Sequence, residues 1–135
     1  MRINLYVAFG QPRGRDPRHW MILAVPEGAT QRCTYYHVTG GPTQGQSYEL
    51  QIQANKRVNS FGIASKEYIG TINESDVNKL KSSAQRARLG RCQRWVVEVL
   101  RDLERKGLLG PGIAASYAAR IEPSPKKQMQ MYRGI

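Results

Sequence analysis

Two cysteines, two histidines and ten carboxylates are all that this chain of 135 residues offers of three chemically versatile classes. Cys33 and Cys92 could close at most one disulfide, and in a reducing compartment they are expected to be free thiols. They lack Cys-x-x-Cys spacing, and His19 and His37 do not make up the deficit for a structural zinc site, so no metal or other cofactor is expected. Long apolar runs are missing too. The longest, "MILAV" at 21–25, is far too short to cross a bilayer, and no transmembrane segment is expected. Asn4 interrupts the opening apolar residues and Gly10 and Gln11 end them, which argues against a secretory signal and for a cytoplasmic location.

What is abundant is positive charge. Lys and Arg number 21 against 10 Asp and Glu, a formal net charge of +11. From Lys79 to the end there are 13 basic and 4 acidic residues, so the second half carries most of the excess. Such a field attracts nucleic acid, anionic lipid or acidic partners without specificity, and a solvated basic face on an enzyme explains it equally well. The remaining composition, 40% hydrophobic and 23% charged, is that of one globular domain with enough apolar mass for a core.

The order of elements reads strands first and helices later. "INLYVAF" (3–9), "HWMILAV" (19–25), "CTYYHV" (33–38), "SYELQIQ" (47–53) and "EYIGTI" (67–72) are β-branched, aromatic or alternating enough for five strands, separated by Gly/Pro-rich loops. A further short strand around Val58 to Ile63 is an open alternative. Tyr35 and Tyr36 fall on opposite faces of their strand, one towards the core and the other towards a cleft or solvent. The period then changes: Val77, Leu80, Ala84 and Ala87 recur at helical spacing, with Asn73 or Ser75 as cap. A second helix runs from about Arg91, with Trp95, Val96, Val99, Leu100 and Leu103 on one face, and ends at Gly107. These elements predict an α+β fold, an antiparallel sheet of about five strands packed against two helices, over residues 1–112. Residues 113–135 form a C-terminal tail, partly disordered or docked, whose end "SPKKQMQMYRGI" is expected to be poorly ordered. "TGGPTQGQ" (39–46) has neither dinucleotide-binding nor Walker spacing and reads as a mobile loop over a cleft.

Cys92 begins the second helix. A helix N-terminus stabilises negative charge, and Arg91 and Arg94 stand beside it, so the position is expected to lower the thiol pKa. The same backbone N–H groups could receive the oxyanion of a tetrahedral intermediate. The competing explanation is packing: Cys92, Val96, Val99 and Leu103 follow one apolar stripe. The histidines tilt the balance. His19 opens the most apolar strand and His37 lies near the end of the next, so antiparallel neighbours would bring them together. A thiol nucleophile needs an imidazole base, and that base needs a polar group to orient it. Cys33 has neither dipole nor base near it in sequence and is read as structural.

"RHWMILAV", then "YYHVTG", then "RCQRWVVEVL" resemble the circularly permuted branch of the NlpC/P60 papain-like superfamily, which includes lecithin:retinol acyltransferase-like and phospholipase/acyltransferase proteins. The resemblance covers about residues 3–107. It implies a permuted papain-like fold, with His19 as general base, His37 as the residue orienting it and Cys92 as nucleophile. The chain departs from that pattern in having Arg91 before the cysteine and Gln93-Arg94 after it, and a longer interval between the histidines. A vaguer resemblance is to small fungal proteins of unknown function with a "HW" strand and a "C-x-x-W-V" helix.

The expected function is that of a cofactor-independent thiol hydrolase or acyltransferase. It would act through an acyl-thioenzyme on an amide, ester or thioester of a small-molecule, lipid or peptide substrate. The alternatives are a non-catalytic basic module, docking nucleic acid or an acidic partner through Lys79–Arg105, and a papain-like scaffold that has lost its activity.

Overall fold

The computed structural model describes residues 1–41 and 45–123. Five strands come first: β1 (Arg2–Gly10), β2 (Trp20–Pro26), β3 (Arg32–Gly41), β4 (Gln46–Arg57) and β5 (Ile63–Asn73). A single 3-10 turn, Glu74–Asp76, leads into α1 (Val77–Arg86), followed by α2 (Cys92–Arg105) and α3 (Ile113–Ala118). The architecture is the α+β arrangement expected from the pattern, with three α-helices in place of two. The open alternative of a strand around Val58 to Ile63 is not realised. Arg57 ends β4, and Ile63 already belongs to β5.

All strand pairs are antiparallel and the spatial order is β4-β3-β2-β1-β5. The first four strands form a meander, and β5 returns to pair with β1. Only residues 58–62 separate β4 at one edge from β5 at the other. So short a connection reaches about 20 Å at full extension, so the sheet must curl until its diagonal corners approach. The crossing segment lies over the concave face, where Val58 and Ile63 close a small core of Ala8, Met21, Leu23, Val25, Cys33 and Tyr35. Both tyrosines of "YY" are therefore buried, Tyr36 in the main core and Tyr35 in this second one. Neither of these two faces solvent.

The main core lies between the other face of the sheet and the helices. Leu5, Val7, Phe9, Trp20, Ile22 and Tyr36 meet Leu80, Trp95, Val96, Val99, Leu100 and Leu103 there. Trp95 is fully buried and donates its indole N–H to the Ala84 carbonyl, joining α2 to α1. Tyr48 and Leu50 pack against this core from β4, while Ile52, next on that face, is 37% exposed where the edge strand runs past it. Residues 113–123, the start of the expected tail, dock on the sheet. Arg120 makes a two-pronged ion pair with Glu67 of β5, Tyr117 donates to the same carboxylate, and Tyr117 packs with Phe9 and Trp20. The reading of 124–135 as poorly ordered lies outside the described residues, as does the centre of the expected 39–46 loop.

The sheet is closed along most of its length and open at one place. β1 and β2 stay paired from Ile3↔Pro26 to Phe9↔Trp20, and β3 and β4 from Arg32↔Arg57 to Gly41↔Gln46. Between β2 and β3, however, the register runs only from Ala24↔Thr34 to Ile22↔Tyr36. Beyond Ile22 the two pairs of strands part like a fork. The backbone from Arg18 to Trp20, leading into β2, thus needs partners other than β3.

Candidate active site

The N-terminus of α2 supplies those partners. The Cys92 thiol lies 3.9 Å from the Arg18 carbonyl, and the Gln93 amide donates to the same oxygen at 2.9 Å. The backbone N–H of Trp20 in turn points at the Cys92 sulfur. Cys92 therefore contacts the main chain on either side of His19. The helix opens with Arg91 as N-cap and without a side-chain cap, so its first N–H groups are not taken by a capping oxygen. That of Gln93 is directed at the sulfur.

The two histidines meet across the fork. His19 Nε2 is 2.7 Å from His37 Nδ1, and their ring centroids are 5.0 Å apart. His37 Nε2 continues to Gln53 Oε1 on β4 at 3.0 Å. His37 pairs with Gln51 and Tyr35 with Gln53, so Gln53 reaches His37 diagonally on the same face. The Tyr35 ring closes the other side of His37 edge-on at 6.3 Å. With the Gln53 oxygen accepting, His37 Nε2 carries a proton, and its Nδ1 must accept from His19 Nε2–H. In that order His19 Nδ1 is left bare. Gly10 makes the room for this: its N–H donates to the His19 carbonyl at 2.7 Å, and a Cβ there would sit 3.2 Å from that of His19.

Electrostatics departs from expectation at the thiol. Burial pushes the Cys92 pKa up, opposed by the N–H groups of Trp20 and Gln93 and by the charges of Arg13 and Arg91. The helix N-terminus acts in the expected direction, but desolvation outweighs it. Cys92 is thus a neutral thiol at rest, and Arg13, in the loop before β2, joins Arg91 in the helping role; Arg94 is exposed. His19 is lowered to about 4 by burial, by His37 and by Arg13. His37 is lowered by burial, against the pull of its bond to Gln53. The set is an uncharged chain at neutral pH. Cys33 is 4% exposed in the concave core and pushed up to about 11, chiefly by burial.

Of the three residues singled out in the sequence, the structure joins His19 and His37 directly and brings Cys92 only to the main chain that flanks His19. The recorded thiol contact is the Arg18 carbonyl; no bond between Cys92 and the His19 ring is formed in this state. Sequence reasoning missed Gln53, and it missed a latch beneath the thiol. Glu122 accepts from the Arg18 N–H at 2.9 Å and from Gln93 Nε2 at 2.6 Å, while its own N–H donates to Gln93 Oε1 at 2.8 Å. Arg91 bonds the Glu122 carbonyl. The residues either side of Cys92 are thus tied to one point of the docked segment and, through it, to the start of β2. The only sequence signal for Gln93 was a polar residue at a helical position facing the core.

The basic half of the chain is partly committed to internal bonds. Lys79, Arg105 and Lys106 pair with Asp76 or Asp102. Lys81, Arg86, Arg88, Arg94 and Arg101 are exposed on or between α1 and α2. Among the described residues no helix is long and apolar enough to cross a membrane.

Residues 5–110 match the model of a Family of unknown function (DUF6540). No curated protein and no solved structure matches the chain.

Proposed function

We propose that this chain, which belongs to the DUF6540 family of unknown function, is a cysteine-dependent hydrolase or acyltransferase with a permuted papain-like site. The observation that carries this is the chain of hydrogen bonds His19–His37–Gln53, with a thiol at a helix N-terminus seated on the main chain that flanks His19. The order His, His, Cys along the sequence matches the resemblance on which the roles were first assigned.

In this mechanism the Cys92 thiol turns from the Arg18 carbonyl towards His19 Nδ1, which removes its proton as the sulfur attacks an acyl carbon. A neutral thiol and a neutral imidazole favour transfer during attack over a pre-formed ion pair. The His19 imidazolium keeps its Nε2–H on His37, whose other nitrogen is held by Gln53. The uncapped N–H of Cys92 receives the oxyanion. Collapse of the tetrahedral intermediate expels the leaving group, which takes the proton from His19, and water or a second nucleophile resolves the thioester. The test is incubation with a panel of activated esters, thioesters and amides, followed by intact-mass and peptide mass spectrometry. Acyl adducts on Cys92 that vanish in Cys92→Ala and fall sharply in His19→Ala are expected. Turnover unchanged in both variants would sink the reading.

A second reading follows from the exposed arginines of α1 and α2, which would dock a polyanion without chemistry. Fluorescence titration with single- and double-stranded oligonucleotides at two salt concentrations tests it, and absence of binding at low salt ends it.

A further inference from the structure

We propose that Gln53 is a positioning residue that sets the direction of the proton order along the two histidines. It thereby decides which form of His19 faces the thiol. Three groups in a row, His19 Nε2 to His37 Nδ1 at 2.7 Å and His37 Nε2 to Gln53 at 3.0 Å, allow two orders only. Each neutral imidazole carries one N–H, so fixing the proton at one end fixes it at the other. Gln53 is the terminus where that choice is made. Its oxygen towards His37 gives a bare His19 Nδ1, an acceptor for a thiol proton. Its nitrogen towards His37 would reverse every bond and leave Nδ1–H, which cannot act as base.

Geometry favours a side chain dedicated to this bond. Gln51, directly opposite His37, is turned away to Thr39 and Glu49. The Tyr35 hydroxyl, the other polar group beside His37, is bound to the Arg57 carbonyl. Burial keeps both imidazoles neutral, so the order is not erased by a doubly protonated ring. The bond Gln53 makes is to His37, and the thiol contact is to the Arg18 carbonyl. The effect of Gln53 travels through His37, as an orienting partner acts on a ligand through the first shell.

Long-range proton–nitrogen correlation NMR on nitrogen-15-labelled protein at pH 7 reads the order directly, because protonated and bare ring nitrogens resonate far apart. In wild type, His19 Nδ1 and His37 Nδ1 are expected bare and both Nε2 protonated. Gln53→Glu, which can only accept, keeps that pattern. Gln53→Leu, at a half-buried edge-strand position, moves the His19 nitrogens to averaged shifts. A protonated His19 Nδ1 in wild type or in Q53E, or a Q53L spectrum identical to wild type, overturns the proposal. Should Q53L fail to fold, the wild-type and Q53E spectra still decide it. The kinetic consequence rests on the proposed pairing of Cys92 with His19: Cys92 alkylation at pH 7 falls about tenfold in Q53L. Altered spectra with an unaltered Q53L rate would uphold Gln53 and count against that pairing.

Discussion

Two of the buried polar clusters among the described residues are built on opposite plans. Between α1 and α2, Asp102 accepts from Ser83 at 2.7 Å and pairs with Lys106 and Arg105. Lys106 bonds Ser83 and the Lys79 carbonyl as well. Every strong group there has a charged or hydroxyl partner, and the Asp102 carboxyl is held down to about 2, first by the Ser83 hydroxyl. At the fork of the sheet the chain His19–His37–Gln53 is uncharged, and one of its ends is a ring nitrogen left over. The first arrangement clamps two helices and has nothing left to react with. The second leaves one ring nitrogen outside its chain of bonds, on a residue whose flanking main chain the Cys92 sulfur touches. A closed network reads as structure, an open one as chemistry.

Breaking the open cluster is expected to have the largest effect. His19→Ala should lower acyl transfer to Cys92 by about a hundredfold or more, the usual worth of a general base, while the melting temperature changes little. The clamp should answer the other way. Asp102→Ala leaves Lys106 half-buried without its counter-charge, at a cost of about 3 kcal/mol in urea unfolding, with Cys92 alkylation unaffected.

Acid titration separates the two clusters on one curve. His19 and His37 bind protons less readily folded than unfolded, so their contribution to stability is complete above pH 6.5. It is lost as pH falls through about 4, an effect of about 3 kcal/mol from His19 alone. Asp102 is depressed too, so its contribution is present above about pH 4 and lost as pH falls towards 2. Stability against pH should descend in two steps, the first missing in a His19→Gln, His37→Gln variant and the second in Asp102→Asn. The smallest effect is expected at the other thiol. Cys33→Ala should cost about 1 kcal/mol and leave the reactive-thiol count in the native protein unchanged.

Residue patterning made the five strands and the main helices legible, because the period switches from two to 3.6 after Ile72. The meeting of His19 and His37 was legible as well, since His19 opens one strand and its antiparallel neighbour runs past it, although His37 falls in the middle of β3 and not near its end. Other features depend on long-range placement. Gln53 is one of three glutamines in the edge strand β4, with Gln46 and Gln51, and only the β3–β4 register singles it out. The Gln93–Glu122 latch spans 29 residues and needs the docked position of residues 119–123. Curling of the sheet, which buries Tyr35 and Cys33, follows from a short connection whose endpoints are defined only once β5 is placed beside β1. The Cys92 pKa went the other way because the helix dipole can be read from sequence position whereas desolvation cannot.

The pairing of Cys92 with His19 is tested most directly by the rate of Cys92 alkylation with iodoacetamide against pH, in wild type and His19→Ala, both carrying Cys33→Ser. With His19 as base, the wild-type rate should hold a plateau from about pH 5 to 8, between the low His19 titration and the raised thiol. In His19→Ala the plateau should vanish, leaving a rate that falls about tenfold per pH unit below the thiol pKa. Identical profiles, both rising only with a thiol titrating above the ordinary value of about 8.5, would contradict the account and make Cys92 a packing residue.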